Sequence, residues 1–130
     1  MPLQMTTLFA CILTVFSATL WINVTKTRSQ KNISIGDAGD ANLHERFRKH
    51  GNFIEWVPLA LVLMGIAELR RAEGFWLYLP GSFMVPGRML RPFGLKNDNA
   101  AHALRIFGNS ASLLSILGPW SCLVWTLIQG

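Results

Sequence analysis

The sequence predicts an all-α integral membrane protein, a single domain over residues 1–130 built as a bundle of four transmembrane helices. Three observations predict it. Hydrophobic residues make up 51% of the chain and charged residues only 15%. The apolar residues gather in four blocks separated by short charged stretches, a membrane pattern rather than a globular one. The positive charge is also concentrated in two of the three connections between those blocks.

The first block, Leu3 to Val24, carries no charge over 22 residues. That length gives about 33 Å of helix at ~1.5 Å per residue, enough to cross a bilayer core. Its positive charges, Lys26, Arg28 and Lys31, follow the apolar run. A signal peptide carries them in front, so this block is expected to be a span. "ISIGDAGDAN" at 33–42 is rich in Gly and Asp and reads as a turn. Asn42 with Glu45 three residues later has the spacing of a capping box, so a helix is expected from near Leu43 onward. That helix continues into the second block, Phe53 to Leu69. The third block, Phe75 to Leu90, is interrupted by Pro80-Gly81 and Pro86-Gly87. Prolines persist in membrane helices where neighbours satisfy the freed carbonyls. The fourth block, Ile106 to Ile128, is uncharged, with Gly118-Pro119 near its middle. Blocks two and three are short, and flanking helix with snorkelling Arg and Lys stems is expected to extend them.

The connections set the orientation. Residues 25–50 hold six Lys/Arg and three Asp/Glu, and residues 86–105 hold four Lys/Arg and one Asp. Four spans put both loops on one side. The positive-inside rule then places them in the cytoplasm and both termini outside it. This also accounts for the net charge of +5 without nucleic acid: the loop charge sets topology and meets anionic lipid headgroups. Cys11 and Cys122 fall inside spans and read as small apolar residues. His44, His50 and His102 lack zinc spacing, and Asp37 and Asp40 lack that of a calcium loop, so no metal site is expected.

"HERFRKHGNFIEWVP" at 44–58 carries the chemistry. Glu45, Arg48, Asn52 and Glu55 follow at spacings of three, four and three and share one helix face. Glu55 is the acidic residue set well inside an apolar block, where an unpaired carboxylate costs a few kcal/mol, about 2.5–3.5 at the bilayer centre. It is expected to face a protein interior or polar pocket, with Arg48 two turns away. The fourth block offers a matching stripe in His102, Arg105, Asn109 and Ser112. Arg88 and Arg91 arrive at the same end. Arginine grips carboxylates with a planar fork, and its charge favours a nearby thiolate over the thiol. A small anion bearing an amino group would suit this cluster, its carboxylates on Arg48, Arg88 or Arg105 and its ammonium on Glu55. The plainer reading makes the arginines span anchors and lets Asn52, Asn109 and Ser112 hydrogen-bond between helices.

"RKHGNFIE" at 48–55 resembles the Arg-x-His-x-Asn-x-x-Glu signature of the MAPEG family, membrane-associated proteins in eicosanoid and glutathione metabolism. The likeness continues through "EWVPLALVLMGIAEL", "GRMLRPFGL" at 87–95 and "ALRIFGN" at 103–109, and covers roughly residues 20 to 125. The plain "GNFIEWVPLAL" form is similar to the bacterial branch, which implies a bacterial inner membrane. The resemblance implies four-helix subunits assembled as a homotrimer, with glutathione as co-substrate between neighbouring subunits near the cytoplasmic side. Carried over, Arg48, Asn52, Glu55 and Arg88 would contact glutathione, and Arg105 would stabilise its thiolate. The implied activity is a glutathione-dependent transferase or peroxidase acting on a small apolar electrophile dissolved in the bilayer. The alternative is a non-catalytic membrane protein holding a lipid or anionic ligand in the same inter-subunit pocket. The chain departs from the family pattern in carrying Trp56 where a tyrosine often follows the glutamate. Its one tyrosine, Tyr78, lies towards the opposite end.

Overall fold

The computed structural model describes residues 3–71, 74–94 and 103–129, and of Arg91, Leu104 and Arg105 the backbone alone. Four helices account for nearly all of it: α1 (Gln4–Lys31), α2 (Ala41–Leu69), α3 (Gly74–Gly94) and α4 (Ala103–Gln129). Helices α1, α2 and the Ile106–Gln129 part of α4 are each long and apolar enough to cross a membrane. Helix α3 does not meet that measure, because three prolines, its glycines and Arg88 dilute its hydropathy. Its packing nevertheless sets it at the same depth. Gly81 lies against Phe9 of α1, Gly87 against Ala111 and Gly108 of α4, and Arg88 reaches Asn52 of α2. Its 21 residues extend about 31 Å.

The pairings run up, down, up, down. Glu68, in the last turn of α2, accepts hydrogen bonds from the backbone N–H groups of Met5 (2.8 Å) and Thr6 (2.9 Å) and from the Thr6 hydroxyl (2.8 Å). The first N–H groups of a helix have no partner of their own, and the positive end of the dipole favours an anion there. One carboxylate therefore ties the start of α1 to the end of α2. The α3–α4 seam is built on small residues. A Cβ on Gly87 would sit 2.6 Å from the Ala111 Cβ, and one on Gly118 would sit 2.8 Å from the Pro80 Cγ. Close backbone approach of this kind is what holds helices together where hydrophobic burial supplies no drive. The prolines do not break α3: it runs as one helix through Pro80, Pro86 and Pro92.

The core is drawn from faces of α1, α2 and α3, with Phe9, Leu13, Phe53, Val57, Met64 and Met84 among its buried members. Phe16 and Phe53 pack with ring centroids 5.5 Å apart. Large apolar side chains also cover much of the outside, including Leu59, Val62 and Ile66 on α2. Cys11 and Cys122 are free thiols.

The connection between α1 and α2 differs from the expected capping box. Helix α2 starts at Ala41, two residues early, and its cap is Asp40, whose Oδ1 accepts from the Leu43 N–H at 2.8 Å. Asn42 lies inside the helix and accepts from Arg46 Nε instead. Asp40 wins because its second oxygen also pairs with Lys31, at the end of α1, so one side chain caps one helix and pins the other. Asp37 adds bonds to the Gly39 N–H (3.0 Å) and His44 Nδ1 (2.5 Å). Gly39 sits at φ +80, in the left-handed region that glycine enters without strain. The Gly39 N–H and then His44 hold the Asp37 carboxyl below its ordinary 3.8, and Lys31 and then the Leu43 N–H do the same for Asp40.

Candidate functional site

Two turns of α2 carry the cluster. Asn52 is buried, and its side-chain oxygen accepts from Arg88 Nη1 at 3.0 Å, while its backbone carbonyl lies 3.4 Å from the same nitrogen. Arg88 is only 2% exposed. Its guanidinium carbon lies 5.6 Å from the centre of the Trp56 ring, one helical turn beyond Asn52. A buried guanidinium needs acceptors and gains from an aromatic face, because no water replaces them. Asn52 and Trp56 supply both. The residue standing where a tyrosine often follows the glutamate thus has a physical partner in this chain.

Arg48 and Glu55 form a second pair on the outer face of the same helix. Arg48 Nη1 lies 4.0 Å from Glu55 Oε1, and the two side chains are 53% and 52% exposed. The sequence reading placed Glu55 towards a protein interior and Arg48 out of sure reach. In this chain Glu55 instead faces outward, and Arg48 closes the two-turn gap by laying its long side chain along the helix. The pair is continuous with the apolar stripe of Leu59, Val62 and Ile66. Glu55 stands two residues inside the apolar run, with Arg48 before it, and a carboxylate beside such a stripe is costly against lipid unless it is paired or covered.

Sequence reasoning expected five residues to converge. Arg48, Asn52, Glu55 and Arg88 stand in these two adjoining pairs. Arg105 lies in the first turn of α4, and its side chain is outside the described residues, as are His102 and the side chain of Arg91. The rest of the fourth-helix stripe divides: Asn109 is exposed, while Ser112 is buried and donates to the Gly108 carbonyl. Sequence reasoning missed the Trp56 contact, although the i, i+4 spacing from Asn52 carried the signal.

A separate cleft of about 330 Å³ opens between α1, the start of α2 and the end of α3. Phe16 and Leu20 form its apolar part, Arg46 and Lys49 bring positive charge, and Glu45 pairs with Lys49. Arg46 and Lys49 occupy a different face of α2 from Arg48 and Glu55, with Glu45 at the boundary between the two.

A bundle of antiparallel membrane helices with a polar cluster at one end of its second helix defines the class. Within that class the chain belongs to the MAPEG family, whose model matches residues 6–125. It is 30% identical over 110 residues to the inner membrane protein YecN of Escherichia coli K12, covering 82% of each chain. The YecN protein of Escherichia coli O6:H1 matches to the same extent. No solved structure matches. Family and relatives agree with the bacterial-type membership expected from the sequence.

Proposed function

We propose that this protein is a glutathione-dependent transferase or peroxidase of the bacterial inner membrane, working as a homotrimer on an apolar electrophile at the cytoplasmic side. The observation that carries the proposal is the outward-facing Arg48–Glu55 pair. Both charges lie on a face that needs covering, and a second copy of the chain would cover it. They also match glutathione's zwitterionic end: Arg48 offers a fork to a carboxylate, and Glu55 accepts from an ammonium. The buried Asn52–Arg88 bond, directly behind, holds α2 in the rotation that presents both.

The chemistry asks for a thiolate. A free thiol titrates near ~8.5 and is mostly protonated at neutral pH. Positive charge in a region of reduced dielectric lowers that value. Arg105, in the first turn of the apolar α4, is the residue assigned to this task by its family position. The thiolate then forms a carbon–sulfur bond with an electrophile arriving through the bilayer, either displacing a leaving group that departs as an anion or adding to an activated double bond whose electron pair then takes up a proton from water. A second reading is favoured by the one tyrosine: Tyr78 is half-exposed near the opposite end of α3, so no described phenol stands by the cluster. On that reading the pocket holds an anionic ligand without turnover. Calorimetric titration of the purified oligomer with glutathione, followed by the ultraviolet absorbance of the thiolate, separates the two. Binding with thiolate formation supports the enzyme. Binding without it supports the second reading, and no binding overturns the glutathione assignment.

A further inference from the structure

We propose that the cleft between α1, the start of α2 and the end of α3 binds an anionic phospholipid of the phosphatidylglycerol class, its phosphodiester held by Arg46 and Lys49 and the first part of an acyl chain lying on Phe16 and Leu20.

The cleft is two-sided. Its floor is Phe16 and Leu20 from the uncharged stretch of α1, and its upper part is Asn23, Arg46 and Lys49. Phe16 to Asn23 is about 10 Å along the helix. Positive charge on α1 begins at Lys26, just beyond. The apolar floor therefore lies in hydrocarbon and the polar upper part at the level of the ester and phosphate groups. A water-soluble anion would gain nothing from the floor.

The charge fits a single negative group. Two cations and the Glu45 carboxylate line the site, and Glu45 pairs with Lys49. That leaves one net positive charge for a phosphodiester. Arg46 is the stronger ligand: its Nε donates to Asn42 Oδ1 at 2.7 Å, which orients the guanidinium, and its terminal nitrogens make no hydrogen bond among the described residues. Asn23 and Glu45 remain as partners for headgroup hydroxyls. Phe93 of α3, beside the cleft and 64% exposed, offers a further apolar surface for the chain. The volume of about 330 Å³ admits a headgroup and the start of a chain, the remainder running on into the bilayer.

Native mass spectrometry of the detergent-purified protein tests this. The probes are dioleoyl phosphatidylglycerol, dioleoyl phosphatidylethanolamine, dioleoyl phosphatidylcholine and glycerol 3-phosphate. Phosphatidylglycerol is expected to bind at one site per chain, ahead of the zwitterionic lipids, with glycerol phosphate not retained. Arg46→Gln/Lys49→Gln should weaken phosphatidylglycerol by about tenfold or more, the loss of charged hydrogen bonds. Arg70→Gln/Arg71→Gln, which removes equal charge at the opposite end of α2 from the cleft, should change it less than about twofold. Arg46→Lys/Lys49→Arg keeps the charge and should keep most of the binding, so a folding failure in the glutamine variant does not decide the matter. Equal weakening by both glutamine pairs would reduce the effect to surface charge and overturn the site. Equal binding of the zwitterionic lipids, or retention of glycerol phosphate, would overturn the assigned ligand.

Discussion

The Asn52–Arg88 bond is the point where fold and site meet, and its energy can be worked from the structure. Arg88 is 2% exposed, so a lost partner is not replaced by water. The Asn52→Ala change removes the 3.0 Å bond to Oδ1 and leaves the weaker 3.4 Å contact to the carbonyl. A hydrogen bond to a charged group contributes about 1.5–3 kcal/mol, and burial places this one in the upper half of that range. Arg88→Met deletes the charge and the Trp56 contact, which is about 2 kcal/mol for a desolvated cation–π pair. It also relieves the desolvation of a buried guanidinium, so its net effect is smaller than the sum of its contacts. Arg88 has other interactions as well, and neither single change isolates the pair. The double-mutant cycle does. Reversible unfolding in mixed micelles of the parent, both single variants and the double variant should give a coupling of about 1.5–3 kcal/mol. A coupling below about 0.5 kcal/mol, with all four proteins folded, would mean that the two residues act independently and that Arg88 does not set the rotation of α2.

Four further outcomes follow from the same geometry. Glu55→Gln should leave the fold intact and weaken glutathione by about 1–3 kcal/mol, and unchanged affinity in calorimetry would remove Glu55 from the site. A cysteine at Ser29 should label only from the cytoplasmic side, and labelling from outside would overturn the orientation. Gly87→Ala should destabilise the bundle by about 1–3 kcal/mol in thermal melts, since its Cβ would press on Ala111 across the α3–α4 seam. Asp40 titrates in the folded protein below 3.8, its ordinary value, because Lys31 and then the Leu43 N–H stabilise its anion. Its support for the α1–α2 connection is therefore complete above that value and lost as pH falls through the lower folded one, so pepsin should cut at 32–40 only at the acid end of such a series.

The helices were legible because burial in lipid imposes long uncharged runs, and the four blocks each mark a helix. Their ends were less so. The sequence offered Asn42 as a cap by spacing, whereas the structure uses Asp40, since a cap that also pairs with Lys31 gains from a contact across the chain that no local pattern displays. Helix α3 was expected as a span despite Pro80-Gly81 and Pro86-Gly87, and it runs as one helix through both prolines, packed closely on small residues of α4. In the cluster, the three-and-four spacing found the α2 face that carries Arg48 and Glu55. It could not say that Arg48 and Glu55 look outward while Asn52 between them is buried, because rotation about the helix axis is fixed by Phe53, Val57 and Met64 packing inward. The partnership of Arg88 with Trp56 crosses between helices; the i, i+4 spacing puts Trp56 beside Asn52, but no local pattern shows that Arg88 reaches them.

The proposed chemistry needs a thiolate held at the Arg48–Glu55 face under the influence of Arg105. The measurement that tests it most directly is the thiolate absorbance of glutathione bound to the purified oligomer, compared among the parent, Arg48→Ser and Arg105→Ser. The parent should bind glutathione and ionise it at neutral pH. Arg48→Ser should weaken binding first, and Arg105→Ser should bind nearly as well as the parent but form little thiolate. An Arg105→Ser protein that binds and ionises glutathione as the parent does would make Arg105 a membrane anchor and contradict the proposed chemistry.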